Sequence, residues 1–298
     1  MNVLELRGVT RAYEKGVNVL DNVDLTVAQG EVIGLLGRNG AGKTTLLRIA
    51  MGLLEPQGGS VSVLGLDPRQ QPLDVKRQVG YVSEDQTLPS FLSVTEAIDL
   101  HRRLYPGWDD ALAHELSSRF QMKSDQKLKN LSKGQARQVS LLCAVCHRPP
   151  LLLLDEPAGG LDPAMRREFL ETAIQMLGES GTTILFSSHH MTDVERLASR
   201  LVMIHDGQKW IDSDLDDVRE GYCLVMIPAD SAPDSAAILS HPRCLTVRRR
   251  DDAVRAVFEL EPDEALRVAT GELGLTDARS MPLNLEDMFI ELVGGGRS

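Results

Sequence analysis

The sequence predicts an α/β fold. A phosphate-binding strand–loop–helix unit is interrupted by a helical insertion and followed by a small α+β domain. Three observations carry this. Gly37-Arg38-Asn39-Gly40-Ala41-Gly42-Lys43-Thr44 fits the glycine-rich phosphate-loop pattern, between the apolar run Glu31 to Leu36 and the helical spacing of Thr45 to Met51. Leu151-Leu152-Leu153-Leu154 reads as a fully buried strand of a parallel sheet, ending in Asp155-Glu156. Between these, apolar spacing turns helical over about residues 89–148. The expected domains are therefore 1–218, with that helical subdomain inside it, and 219–298.

In chain order, Val3 to Leu6 and Val23 to Val27 alternate as half-exposed strands. Tyr13 falls in the polar connection between them, where it either stacks on an adenine base or packs as an ordinary tyrosine. In the loop, Gly37, Gly40 and Gly42 let backbone N–H groups turn around phosphate oxygens, and the following helix points its positive end at the same anion. Lys43 has the reach for the β- and γ-phosphates, the Thr44 hydroxyl suits Mg²⁺, and Thr45 suits the α-phosphate. Pro56 to Ser60 is a turn, Val61 to Leu64 a strand, and Val79 to Glu84 another strand entering a polar loop.

Ser93 with Glu96 forms a capping box that opens the insertion, and Pro106-Gly107 breaks its first helix. Leu112, Leu116 and Phe120 mark the next apolar stripe, with Phe91, Tyr105 and Trp108 expected in the core of the insertion, or alternatively on a docking surface for a partner. Leu131-Ser132-Lys133-Gly134-Gln135 opens a further helix, with Ser132 as N-cap and Gly134 permitting close approach of a ligand. Asp155 and Glu156 lie where open α/β sheets bind ligands: Asp155 suits Mg²⁺, and Glu156 suits polarising a water. Gly159 to Pro163 turns into a helix, and the strand Thr182 to Ser188 delivers His189 to the same edge. Leu201 to Ile211 reads as a hairpin through Asp206-Gly207.

Composition bounds the function. The 298 residues carry a net charge of -11, so nucleic acid is not an expected partner. The chain has neither an apolar run of membrane-spanning length nor a basic-then-apolar leader, so a cytoplasmic location is expected. Cys143, Cys146 and His147 form C-x-x-C-H, but the surrounding apolar helix favours buried small hydrophobes over haem or zinc ligands.

With the Leu-Ser-x-Gly-Gln stretch standing between the glycine loop and the Leu151 to Glu156 strand, residues 2 to 215 resemble the ATP-binding cassette (ABC) ATPases. They look most like bacterial ATPase subunits that partner a separately encoded membrane permease. Leu104 to Asp109 and Leu285 to Phe289 add to the likeness. The resemblance implies a phosphate-loop NTPase cassette with ATP and Mg²⁺ as cofactors. Tyr13 then matches the adenine-stacking aromatic, and Gly37 to Thr45 the phosphate loop. Thr44 and Asp155 match the Mg²⁺ residues, Glu156 the catalytic glutamate and His189 the switch histidine. It also implies that Ser132, Gly134, Gln135 and Asp162 of a second copy complete each site, giving a head-to-tail dimer. Transport, with export as the expected direction, would run at the inner face of the cell membrane through the permease. Glu84 stands where the family usually has glutamine, with Gln86 two residues off register; Glu84 is carried as a Mg²⁺ or coupling residue. Lys133 replaces the first signature glycine. The competing reading is a soluble ABC-type ATPase acting on nucleic acid or ribosomes; such proteins are tandem cassettes or carry a long coiled coil, and neither is present.

Beyond the charged stretch Asp212 to Glu220, strands are expected at Tyr222 to Ile227, Leu245 to Arg248 and Ala253 to Phe258, with a turn at Asp251-Asp252. Helices are expected at Asp263 to Gly271 and Leu285 to Leu292. Arg248-Arg249-Arg250 reads as a solvated hairpin, and the domain as a dimer-stabilising or regulatory accessory.

Overall fold

The computed structural model describes residues 1–14, 16–85, 88–178, 181–250 and 253–293. The chain forms two compact units, Met1–Asp212 and Ser213–Ser298. The boundary expected at 218/219 falls inside the second unit. The units meet at the start of the aspartate-rich stretch Asp212 to Glu220, which contains a short helix with Leu215 and Val218 buried.

The first unit begins with β1 (Asn2–Glu14), β2 (Val17–Ala28), β3 (Val32–Leu36), α1 (Lys43–Ala50), β4 (Gly58–Val63), α2 (Pro72–Gln78) and β5 (Val79–Val82). β1 pairs antiparallel with β2 and β4 in a three-stranded sheet. Alternation buries Leu4, Leu6, Val23, Leu25 and Val27 on one face. Tyr13 is not in a connection, as expected, but in β1: the ladder continues to Glu14 opposite Val17.

The insertion contains α3 (Val94–Leu104), α4 (Asp110–Arg119) and α5 (Lys133–Val145). Ser93 Oγ accepts from Glu96 N–H, while Glu96 Oε2 accepts from Ser93 N–H, closing the expected capping box. Leu112, Leu116 and Phe120 are buried. Phe91 is not in the core: it is 71% exposed, because it lies in a turn that Leu92 N–H closes on the Pro89 carbonyl, ahead of the packed helical face. Tyr105 is half-buried and stacks on His147 at 4.2 Å, and Trp108 is half-buried.

After the insertion come β6 (Leu151–Leu154), α6 (Pro163–Gly178), β7 (Thr183–Ser188), α7 (Met191–Leu197), β8 (Arg200–His205) and β9 (Gln208–Asp214). The main sheet has the order β5-β6-β7-β3-β8-β9, with β5, β6, β7, β3 and β8 parallel. The four leucines of β6 are inaccessible, as a strand covered on both faces requires. One apolar core draws on both sheets and on α1. The C-terminal ends of β3, β5, β6 and β7 therefore open side by side, and each is followed by a loop carrying polar groups.

The second unit runs α8 (Leu215–Glu220), β10 (Cys223–Pro228), α9 (Ser235–Leu239), β11 (Cys244–Arg250), β12 (Ala253–Phe258), α10 (Pro262–Arg267), a π-helical turn Val268–Glu272, β13 (Arg279–Pro282) and α11 (Leu285–Val293). Its sheet has the order β11-β12-β10-β13, all antiparallel. From β10 to β13 this is a split βαββαβ arrangement. Arg248 and Arg249 are not merely solvated: each donates to a backbone carbonyl, of Ile290 and Ala229. The turn expected at Asp251-Asp252 lies outside the described residues.

Candidate functional site

The loop after β3 is shaped by glycine. Gly40 has φ +84° and Gly42 φ +109°, and a Cβ on Gly42 would lie 2.5 Å from the Val19 carbonyl oxygen. Gly42 is also the N-cap of α1 and brings no side-chain acceptor, so the first N–H groups of the helix stay free for an anion. Gly37 and Ala41 pack inward: a Cβ on Gly37 would meet the Ile204 carbonyl at 2.5 Å, and Ala41 is 7% exposed.

Lys43 heads α1 and is buried. Its ammonium donates to the Gly37 and Arg38 carbonyls at 2.7 and 3.3 Å and pairs with Glu156 Oε1 at 3.1 Å. The next residue, Thr44, donates its hydroxyl to Asp155 Oδ1 at 3.0 Å. Thr45 Oγ1 and the Tyr13 hydroxyl are 3.2 Å apart, so the exposed Tyr13 ring stands over the start of α1. The Arg11 guanidinium lies 5.5 Å from the centre of that ring.

From the opposite side, β6 delivers Asp155 and Glu156, and β7 delivers Ser187 and His189. Ser187 Oγ donates to Asp155 Oδ1 at 3.0 Å and accepts from Glu156 N–H at 2.8 Å. His189 Nδ1 is 2.8 Å from Glu156 Oε2. Glu156 has φ +44°, a left-handed conformation that a non-glycine residue rarely adopts, so its carboxylate is aimed by a strained backbone. Burial raises the Asp155 carboxyl above its ordinary range, against the opposing hydrogen bonds from Thr44 and Ser187. The Tyr81 phenol is pushed up to about 12 by burial and then by the Asp155 charge.

Lys43, Thr44, Thr45, Arg38, Asn39, Gly40, Gly42, Tyr13, Glu84 and Glu156 line one cleft of about 490 Å³. That cleft offers a cationic loop, a helix N-terminus and an aromatic at one rim, the inventory for a nucleoside polyphosphate. Asp155 sits beneath it with Oδ2 buried and without a hydrogen-bond partner among the described residues. A desolvated carboxylate with one oxygen left unpartnered, next to a threonine hydroxyl, suits a divalent cation. No group of three or more His, Cys, Asp or Glu that could hold a metal alone occurs among the described residues. A cation at Thr44 and Asp155 would therefore draw most of its remaining ligands from phosphate and water. Gln86 lies outside the described residues.

Ser132, Gly134, Gln135 and Asp162 do not line this cleft. Each has work at a helix start of its own chain. Ser132 and Gln135 form a capping box on α5, and Asp162 Oδ1 accepts from Ala164 and Met165 N–H at 3.1 Å each. The missing side chain of Gly134 makes room for Met165, whose Cε would lie 3.0 Å from a Cβ. Cys143 and Cys146 are buried and unpaired, with thiols pushed up by burial, Cys146 to about 12. Ser187 and Arg137, which bonds to the Glu84 and Glu156 carbonyls, have no motif to mark them in the sequence. Position alone hints at Ser187, near the end of the strand that leads to His189.

Fold and cleft together define a phosphate-loop NTPase whose parallel sheet carries an inserted helical subdomain. More narrowly, the chain belongs to the ABC transporter ATP-binding proteins. The family described as "ABC transporter" matches residues 20–159. The ABC transporter ATP-binding protein YtrB of Bacillus subtilis is 31% identical over 295 residues, 99% of each chain. The Nod factor export ATP-binding protein I of Cupriavidus metallidurans is 31% identical over 300 residues, 98% of this chain and 97% of that one. Among solved structures, an ATP-binding subunit of an ABC transporter aligns with TM-score 0.66 and 31% identity over 73% of this chain and 92% of that one. A bacterial ABC transporter cassette solved as a dimer aligns with TM-score 0.64 and 25% identity over 71% and 98%. The chain is thus an ATP-binding ATPase subunit of ABC-transporter type, and no helix among its described residues is long and apolar enough to cross a membrane.

Proposed function

We propose that this chain hydrolyses Mg²⁺-ATP to power export through a separately encoded membrane permease. One observation supports the reading most: Glu156 joins both halves of the cleft, paired to Lys43 on the phosphate loop and to His189 just past β7. Lys43 and the N-terminus of α1 bind the phosphates, and the Tyr13 ring stacks on the base. Thr44 and Asp155 would hold Mg²⁺, with Glu84 at the cleft wall as a further ligand or coupling residue. When bound, the cation neutralises the charge that builds between the β- and γ-phosphates. Glu156 accepts a hydrogen bond from the attacking water, and His189 holds the carboxylate by its second oxygen and contacts the γ-phosphate.

Two copies are needed. Ser132, Gly134, Gln135 and Asp162 lie outside the cleft of their own chain, which leaves them to a partner's γ-phosphate in a head-to-tail pair. A related cassette was solved as a dimer, and the Cupriavidus metallidurans relative is named for Nod factor export. The second unit would stabilise that pair or regulate it.

The test is Glu156→Gln with ATP and Mg²⁺. Turnover should fall by about a hundredfold or more while ATP still binds, and light scattering should report an ATP-dependent dimer. A variant that hydrolyses ATP at the wild-type rate would remove Glu156 from the mechanism.

A further inference from the structure

Arg137 lies near the start of α5, which Ser132 caps, and its side chain reaches both carboxylate loops. Its guanidinium is half-buried and makes two hydrogen bonds to two different loops. Nη1 donates to the Glu156 carbonyl at 3.1 Å, and Nη2 donates to the Glu84 carbonyl at 2.8 Å. Gly159 N–H donates to the same Glu156 carbonyl at 2.9 Å. On the other side, Glu156 N–H is held by Ser187. The peptide groups flanking a residue in left-handed conformation are thus fixed from both directions, and Arg137 is the member of that set that belongs to the signature helix. The charges around it are Glu84, Asp85, Glu156 and Asp155, all negative. Both Glu84 and Glu156 line the nucleotide cleft.

We infer that Arg137 is a positioning residue for hydrolysis: it ties the signature helix of its own chain to the backbone of Glu156 and Glu84, so that a displacement of α5 re-aims both carboxylates. A planar fork can bridge two carbonyls in fixed geometry; a lysine ammonium on a flexible stem does not reproduce it. This rests on the reading of Glu156 as the residue that activates water. Arg137 itself touches neither the phosphates nor the water, so its removal should act on turnover and leave nucleotide binding in place.

The experiment compares the full-length wild type with Arg137→Gln and Arg137→Lys, measuring steady-state ATPase kinetics, binding of a fluorescent ATP analogue, and thermal melting. The expected result is a kcat for Arg137→Gln at least tenfold below wild type, analogue Kd within twofold, a folded-state melt, and Arg137→Lys in between. Arg137→Gln with kcat within twofold of wild type overturns the inference. So does a parallel loss of kcat and binding, which would mark a general structural role. If Arg137→Gln does not fold, Arg137→Lys decides alone: undiminished kcat overturns the inference, and reduced kcat with unchanged Kd supports it. If the wild type itself shows no Glu156-dependent turnover, the underlying reading fails instead.

Discussion

At the scale of single residues, the carboxylates after β6 are held by a hydroxyl. Ser187 Oγ gives its proton to Asp155 and takes one hydrogen bond from the backbone of Glu156. Ser187→Ala strands a buried N–H and removes a partner from a desolvated carboxylate, at a cost of ~1–3 kcal/mol for the unmet group. A lower urea midpoint and a turnover reduced several-fold are expected; unchanged stability would show that Glu156 N–H finds another acceptor. Such contacts explain what was and was not legible beforehand. Lys43, Thr44, Asp155, Glu156 and His189 stood out because each sits at a fixed offset from a motif or at the end of an apolar strand. Ser187 and Arg137 act through partners 31 and 19 or more residues away, and no local pattern distinguishes them from a serine in a strand or a charge on a helix. Phe91 shows the converse error, an aromatic assigned to a core from its type when the turn around it points it outward.

At the scale of elements, the β3–loop–α1 unit was legible because glycine, apolar run and helix follow one another without a gap. The close approach that demands Gly42 was not, since it depends on β2 crossing beneath the loop. Gly42→Ala would place a methyl 2.5 Å from the Val19 carbonyl at a φ of +109°. A destabilisation of ~1–3 kcal/mol is expected for strain of this kind. Because the loop must shift to accommodate the methyl, ATP affinity should drop by at least tenfold, measurable by calorimetry. Wild-type affinity would mean that the loop relaxes without losing its cradle. β13 illustrates a different limit. Arg279 to Pro282 has no alternating apolar pattern and was not foreseen as a strand; it pairs because it completes the edge beside β10.

At the scale of the whole molecule, stability should depend on pH through a buried histidine in the first unit. Burial, with a smaller contribution from His101, lowers His147 to about 4 from its ordinary 6.5. The unfolded chain therefore binds this proton more readily than the folded one between those values. Stability contributed by the neutral ring is complete above pH ~6.5 and is lost as pH falls toward ~4. Asp155 works in the opposite sense, because its raised carboxyl is relieved by protonation. The comparison with His147→Phe isolates the histidine: the variant keeps a ring for Tyr105 to stack on, and its melting temperature should fall less steeply between pH 7 and pH 4. Identical slopes would assign acid sensitivity elsewhere.

The four cysteines also decide how the molecule can be handled. All are buried, and burial lifts Cys223 to about 11 and Cys146 and Cys244 to about 12, with Cys143 displaced further in the same direction. At neutral pH their thiolate populations are minute, and the native chain is close to inert toward maleimide reagents. A cysteine introduced at exposed Leu73 in the first unit or Leu239 in the second would be the fast-reacting thiol of its chain. Spin labels or fluorophores can then be installed at one chosen point on the wild-type background, without a cysteine-free variant and the core cavities that removing four buried side chains would leave.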